Sequence, residues 1–147
     1  MKHALDEDRR LLAIANSDRD AFLVLAAAPG IRLAIAMFLA QQAVEKALKA
    51  TQFAFGIAAR RTHDLADLAV SLKDAAELPF PPEEYARLSP YAVEFRYDDS
   101  DIELMTREQA AVIVDAPLLG CKTSCGPGIR EKRRKGHEHS WSRNIRA

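Results

Sequence analysis

The sequence predicts an all-α protein, an up-and-down bundle of four to five helices, and three observations carry that expectation. Wound at 3.6 residues per turn, residues 36–55 place Ala36, Ala40, Ala43, Ala47, Ala50 and Ala54 in one line. Alanine and leucine dominate the chain, β-branched residues rarely cluster, and no run alternates in polarity, which argues against a sheet. Pro29-Gly30, Gly56 and LPFPP at 78–82 punctuate the chain between the apolar-periodic stretches.

The first helix is expected over 5–28, loosened near Asn16-Ser17, with Leu11, Ile14, Ala15, Phe22, Leu25 and Ala26 on its apolar face. Pro29-Gly30 stops it. The central helix runs from about Ile31 to Phe55, and Gly56 ends it in the position where a left-handed residue is common. Its alanine line lets a neighbouring backbone approach closely. Met37, Val44, Leu48 and Phe55, on a line shared with Gln41 and Thr51, fill the flanking groove. The helix is thereby expected to be buried over about half its circumference. Gln42, Glu45, Lys46 and Lys49 fall on the far side, where Glu45 and Lys49 are four apart in the favourable order.

After a basic loop at 58–61, Thr62 is the expected N-cap of a third helix, with His63 and Asp64 in its first turn and Leu65, Leu68, Ala69 and Leu72 along its stripe. Pro82 suits the first turn of a fourth helix, with Glu83 and Glu84 at its positive end. That helix is expected to pass Leu88, Tyr91 and Val93 toward Phe95, bent or broken at Pro90. Thr106 and Gln109 form a capping box for the last helix, which Pro117 or Gly120 should end.

The 147 residues divide into a bundle over 1–116 and a basic, structureless tail over 117–147. Net charge is zero, but the halves differ. Residues 1–116 hold 13 Lys+Arg against 19 Asp+Glu, and residues 117–147 hold 8 against 2. A basic tail is either a solvated end or a reach toward nucleic acid or another acidic surface. Both cysteines, Cys121 and Cys125, lie in the tail, so no disulfide framework supports the bundle. The first ten residues are polar and Pro29-Gly30 and Arg32 interrupt the apolar run at 21–40, so neither a secretory signal nor a membrane span is expected and a cytoplasmic location is.

Three groups of residues could carry chemistry. Arg60, Arg61, Thr62 and His63 bring two guanidiniums to an expected helix start, where free N–H groups and the dipole favour a phosphate. The same dipole would keep the His63 imidazole neutral, able to act as a base; the alternative is a surface loop with local hydrogen bonds. Arg96 between Phe95 and Tyr97 could hold a phosphate while the rings stack a base, or the rings could be core and Arg96 paired with a carboxylate. Phe38, Gln42 and Lys49 share the polar side of the central helix with Lys46, and an aromatic there points to an interface with a partner chain. The Cys121/Cys125 and His137/His139 pairs are separated by charged, glycine-containing sequence, so no metal site is expected, nor a cofactor.

QQAVEKALKA at 41–50, Gly56, THDL at 62–65 and EFRYDD at 94–99 resemble the HEPN domain in order and spacing, over roughly residues 5–116. The resemblance implies an all-α bundle, usually a homodimer, and for many members a small nucleotidyltransferase partner in a toxin–antitoxin-like pair. Together with the anion-friendly start of the third helix, it points to a nucleotide- or phosphate-binding interaction module, with Lys46, Arg60, Arg61, Thr62, His63, Arg96 and Tyr97 as the expected binding residues. Other members are metal-independent ribonucleases, built on an arginine followed four to six residues later by a histidine. The body of this chain departs from that spacing: Arg60 and Arg61 are too near His63, and no histidine follows Arg96 before the tail. Ribonuclease activity with His63 as acid or base is therefore the alternative, and a purely structural helical dimer a further one.

Overall fold

The computed structural model describes residues 2–93 and 104–124, with side chains over 6–93 and 104–116. Five α-helices form among these residues, and no strand does: α1 Lys2–Ala27, α2 Leu33–Ala54, α3 Leu65–Leu72, α4 Pro82–Ala86 and α5 Arg107–Ser124, with a 3₁₀ turn at Ser89–Ala92 between α4 and α5. The all-α bundle expected from the sequence is what folds.

The alanine line of α2 is the seam of the molecule. Ala36, Ala40, Ala43, Ala47 and Ala50 are buried, and only Ala54, in the last turn, is exposed. Ala47 meets Ala15 of α1, so two methyl-sized side chains face each other where the helices pass. Met37, Val44 and Leu48 are buried beside this seam, joined by Phe22, Leu65, Leu68, Leu72, Tyr85 and Leu88 in one core. Phe55, expected to share that line, is instead exposed, because it is the C-cap and the helix has ended. Burial pushes the Tyr85 hydroxyl up to about 12, and its ring meets Phe80 edge-on at 6.1 Å.

α1 and α2 are antiparallel, joined by the short turn at 28–32. The chain then leaves α2 through a left-handed Gly56, φ 67°. The N–H of Ile57 donates to the carbonyl of Gln52 at 2.8 Å and that of Gly56 to Phe53 at 3.1 Å, a closure that satisfies two end carbonyls. The connection 55–64 carries the chain back along α2, so that His63 lies beside Glu45 while Ser71, near the end of α3, meets Gln52. α3 therefore runs in the same direction as α2. α5 does too: Arg107 at its start donates to the carbonyl of Ile31, and Asp115, two turns on, pairs with Arg19 of α1.

Several local expectations are corrected. α1 is continuous through Asn16-Ser17, because its buried face, not the propensity of those two exposed residues, decides. α2 begins at Leu33, after Arg32 in an extended conformation. The fourth helix stops at Ala86, and Pro90 forces the next turn into 3₁₀ geometry rather than bending a longer helix. α5 passes through Pro117 and Gly120 to Ser124; the proline removes one hydrogen bond without stopping the helix. The Thr106–Gln109 capping box is present, with Gln109 N–H donating to Thr106 Oγ1 at 3.2 Å and Thr106 N–H to Gln109 Oε1 at 3.1 Å. The tail expected to be structureless from 117 is helical as far as Ser124, as the end of α5. Residues 94–103, with Phe95, Arg96 and Tyr97, and 125–147, the rest of that tail, lie outside the described residues.

A candidate anion site beside a buried carboxylate

The start of α3 departs most from expectation. Its N-cap is Asp64, not Thr62: the Asp64 carboxylate accepts from the N–H groups of Ala66 at 2.9 Å and Asp67 at 3.4 Å. Leu65 N–H donates to Ser89 Oγ at 3.0 Å, and Leu68 N–H to the Asp64 carbonyl at 3.2 Å. The four N–H groups that open the helix are thus all satisfied within the chain, and a carboxylate already occupies its positive end. Thr62 Oγ1 accepts from Asp64 N–H at 3.0 Å, two residues ahead of the cap. An anion at this place must therefore be held by side chains rather than by the helix start.

Those side chains are open to it. The Arg60 guanidinium is more than half exposed and, among the described residues, pairs with Asp67, itself half exposed, at 3.4 Å. An ion pair of this kind is worth about 0–1 kcal/mol, little enough for a phosphate to displace. Arg61 is exposed, and the His63 ring is 69% exposed. The dipole argument for His63 lapses, since the residue precedes the cap. The charged group beside its ring is a carboxylate of α2.

That carboxylate is Glu45, on the polar side of α2 and yet with its side chain only 7% exposed. It accepts from Lys49 Nζ at 2.8 Å and from Gln41 Nε2 at 2.9 Å. His63 Nδ1 lies 3.0 and 3.1 Å from its two oxygens. Burial pushes the Glu45 pKa up, but the hydrogen bonds from Lys49, Gln41 and His63 together outweigh burial and hold the group below its ordinary value of 4.5. An ionised carboxylate only accepts, so Nδ1 carries the proton and Nε2 is the nitrogen left for another partner.

The remaining polar residues of α2 join the same cluster. Gln41 is fully buried and also reaches the His63 carbonyl at 3.4 Å. Lys46 Nζ donates to Asp18 of α1 at 2.7 Å and to Gln42 at 2.8 Å. Gln42 and Lys49, expected at an interface, thus make hydrogen bonds inside the chain, and Phe38 sits half-buried one turn before Gln42. α2 is fully buried over about half its residues, as expected; on its polar side Gln42, Lys46 and Lys49 are half-buried, with Asp18 of α1 against Lys46 and His63 against Glu45. Lys46, expected to bind phosphate, sits in the ion pair with Asp18.

Sequence reasoning missed Asp18, Gln41 and Glu45 as parts of one site. Their signal was present as Gln41, Glu45 and Lys49 at successive spacings of four, with a glutamine placed on an apolar line. Among the described residues no group of His, Cys, Asp and Glu could hold a metal ion. Nor, among them, is any helix long and apolar enough to cross a membrane.

The family model of the HEPN domain matches residues 9–116, from within α1 through the 60–64 loop to the first half of α5. This chain belongs to the HEPN family. No match to it is found among curated proteins or among solved structures. The HEPN match runs through all the blocks that suggested the resemblance, including QQAVEKALKA on α2 and THDL at the start of α3.

Proposed function

We propose that this HEPN protein is a nucleotide- or phosphate-binding interaction module that acts as a homodimer, with a small nucleotidyltransferase as its partner in a toxin–antitoxin-like pair. One observation carries the binding part. Arg60, Arg61 and His63, three exposed donors within four residues, sit on a loop that the buried Glu45–Gln41 cluster pins to α2. Fixing the loop in advance removes part of the ordering cost of gripping a phosphate. Arg96 and Tyr97 are proposed to complete the grip, and Phe38 to contribute to the dimer face.

Calorimetric titration with ATP and other nucleotides, with and without Mg²⁺, tests it. Heat is expected with at least one nucleotide, and the Arg60→Ala/Arg61→Ala double variant should bind it at least about tenfold more weakly, the minimum for losing charge-assisted hydrogen bonds. No heat from any of them removes the binding part. Native mass spectrometry of protein from its own host tests the dimer and the partner together.

The His63–Glu45 pair favours a second reading, a metal-independent ribonuclease. A buried carboxylate that fixes the tautomer of an exposed imidazole is how a general acid–base group is oriented, with Nε2 toward the reacting phosphate. Cleavage of RNA should then persist in EDTA and vanish in His63→Ala. Activity indifferent to that change rejects the assignment.

A further inference from the structure

The cluster beside His63 is a directed chain of hydrogen bonds, and its two ends fix its direction. Lys46 can only donate, and Glu45, ionised, can only accept. Between them stand two amides. Lys46 Nζ donates to Gln42 Oε1 at 2.8 Å, so the Gln42 amide must turn its nitrogen the other way, and it donates to Gln41 Oε1 at 2.7 Å. Gln41 must then turn its own nitrogen onward, to Glu45 Oε2 at 2.9 Å. Neither amide can flip without setting oxygen against oxygen or nitrogen against nitrogen. The Asp18–Lys46 pair, at 2.7 Å, holds the donor end in place from another helix. Gln41 is fully buried, so a wrong orientation there finds no water to correct it.

We propose that Asp18, Lys46, Gln42 and Gln41 are positioning residues: they hold Glu45 in place and thereby keep the His63 ring against the carboxylate that fixes its tautomer. The meaning for binding rests on the reading above, in which His63 meets phosphate through Nε2. The ordering itself does not.

The test is a charge swap in the full chain, Asp18→Lys together with Lys46→Glu. It keeps an ion pair between α1 and α2, so a merely structural role predicts no change at His63. The relay predicts otherwise. An acceptor at position 46 turns the Gln42 amide around, and the Gln41 carbonyl is then set against either Gln42 oxygen or the Glu45 carboxylate. Ring-nitrogen NMR of His63 in labelled protein, assigned by comparison with His63→Ala, is the readout. Wild type should show a proton fixed on Nδ1, and Lys46→Arg, which keeps the donor, should match it. The swapped protein should lose that signature and bind ATP roughly tenfold more weakly, the equivalent of one charge-assisted hydrogen bond. A swapped protein with wild-type ring nitrogens overturns the proposal. If the swap does not fold, Gln42→Glu, which keeps the acceptor for Lys46 but sets a second acceptor against the Gln41 carbonyl, must produce the same loss, and wild-type nitrogens there overturn it equally. Absence of ATP binding by wild type would sink the binding reading alone, since the nitrogen comparison needs no ligand.

Discussion

Phe22→Ala is expected to cost about 3–5 kcal/mol of folding stability. Phe22 is fully buried on α1 and belongs to the same core cluster as Met37, Ala40, Val44 and Leu48 of α2. Neighbours across an alanine seam have few atoms with which to collapse into the gap. The cavity would persist, and the lost contacts would add to the lost transfer free energy. A domain of this kind has about 5–15 kcal/mol in total, so the variant should be near the limit of folding. Urea unfolding followed by circular dichroism measures it. A loss under about 1 kcal/mol would mean that α1 does not pack through Phe22 as described.

Glu45→Ala is expected to cost about 2–3 kcal/mol. The carboxylate receives hydrogen bonds from Lys49, Gln41 and His63 and is itself almost wholly buried. Lys49 and His63 can turn partly to water once it is gone. Gln41, fully buried, cannot, and this puts the loss above that of a surface pair. The pH dependence follows from the lowered pKa of Glu45. In the unfolded chain the group titrates near 4.5, and in the folded chain below that. Its stabilising contribution is therefore complete above pH 4.5 and is lost as pH falls through the lower, folded value. Urea midpoints measured from pH 7 down to pH 3 should fall more steeply for wild type than for Glu45→Gln across that interval. Parallel curves would remove Glu45 as the cause. The 60–64 loop, which depends on the same carboxylate, should lose its order in Glu45→Ala before the core does.

The fold was legible from short-range pattern because helices are written in it. A stripe of alanines at alternating spacings of four and three has one use, the close approach of another rod, and Ala47 against Ala15 is that approach. Gly56 and the Thr106–Gln109 box were legible for the same reason: each is a local hydrogen-bonding or backbone requirement that neighbouring residues alone can meet. Where a neighbour in space competes with a neighbour in sequence, the pattern misled. Thr62 has the chemistry of a cap, yet Asp64, two residues on, took the role, and Ser89 from a distant turn supplied the remaining acceptor.

The candidate site was legible in its parts and not in its meaning. Arg60, Arg61 and His63 stand out by composition, and they do share one exposed loop. Glu45 read as half of a surface pair with Lys49 because helical spacing reports only contacts along one helix. What it meets across space is His63, on a loop that folds back beside it, and no spacing within residues 41–50 encodes that.

The sequence by itself determined that this chain is a helical bundle of the HEPN family and that α2 is its axis, since apolar periodicity and end signals are properties of a single segment. Only the tertiary structure decided that Glu45 on the polar side of α2 is buried, that a carboxylate and not a helix dipole governs His63, and that two glutamines point one way between a lysine and a glutamate. Those facts depend on which groups share a dry volume, where each donor must find an acceptor across distances the chain spans only by folding.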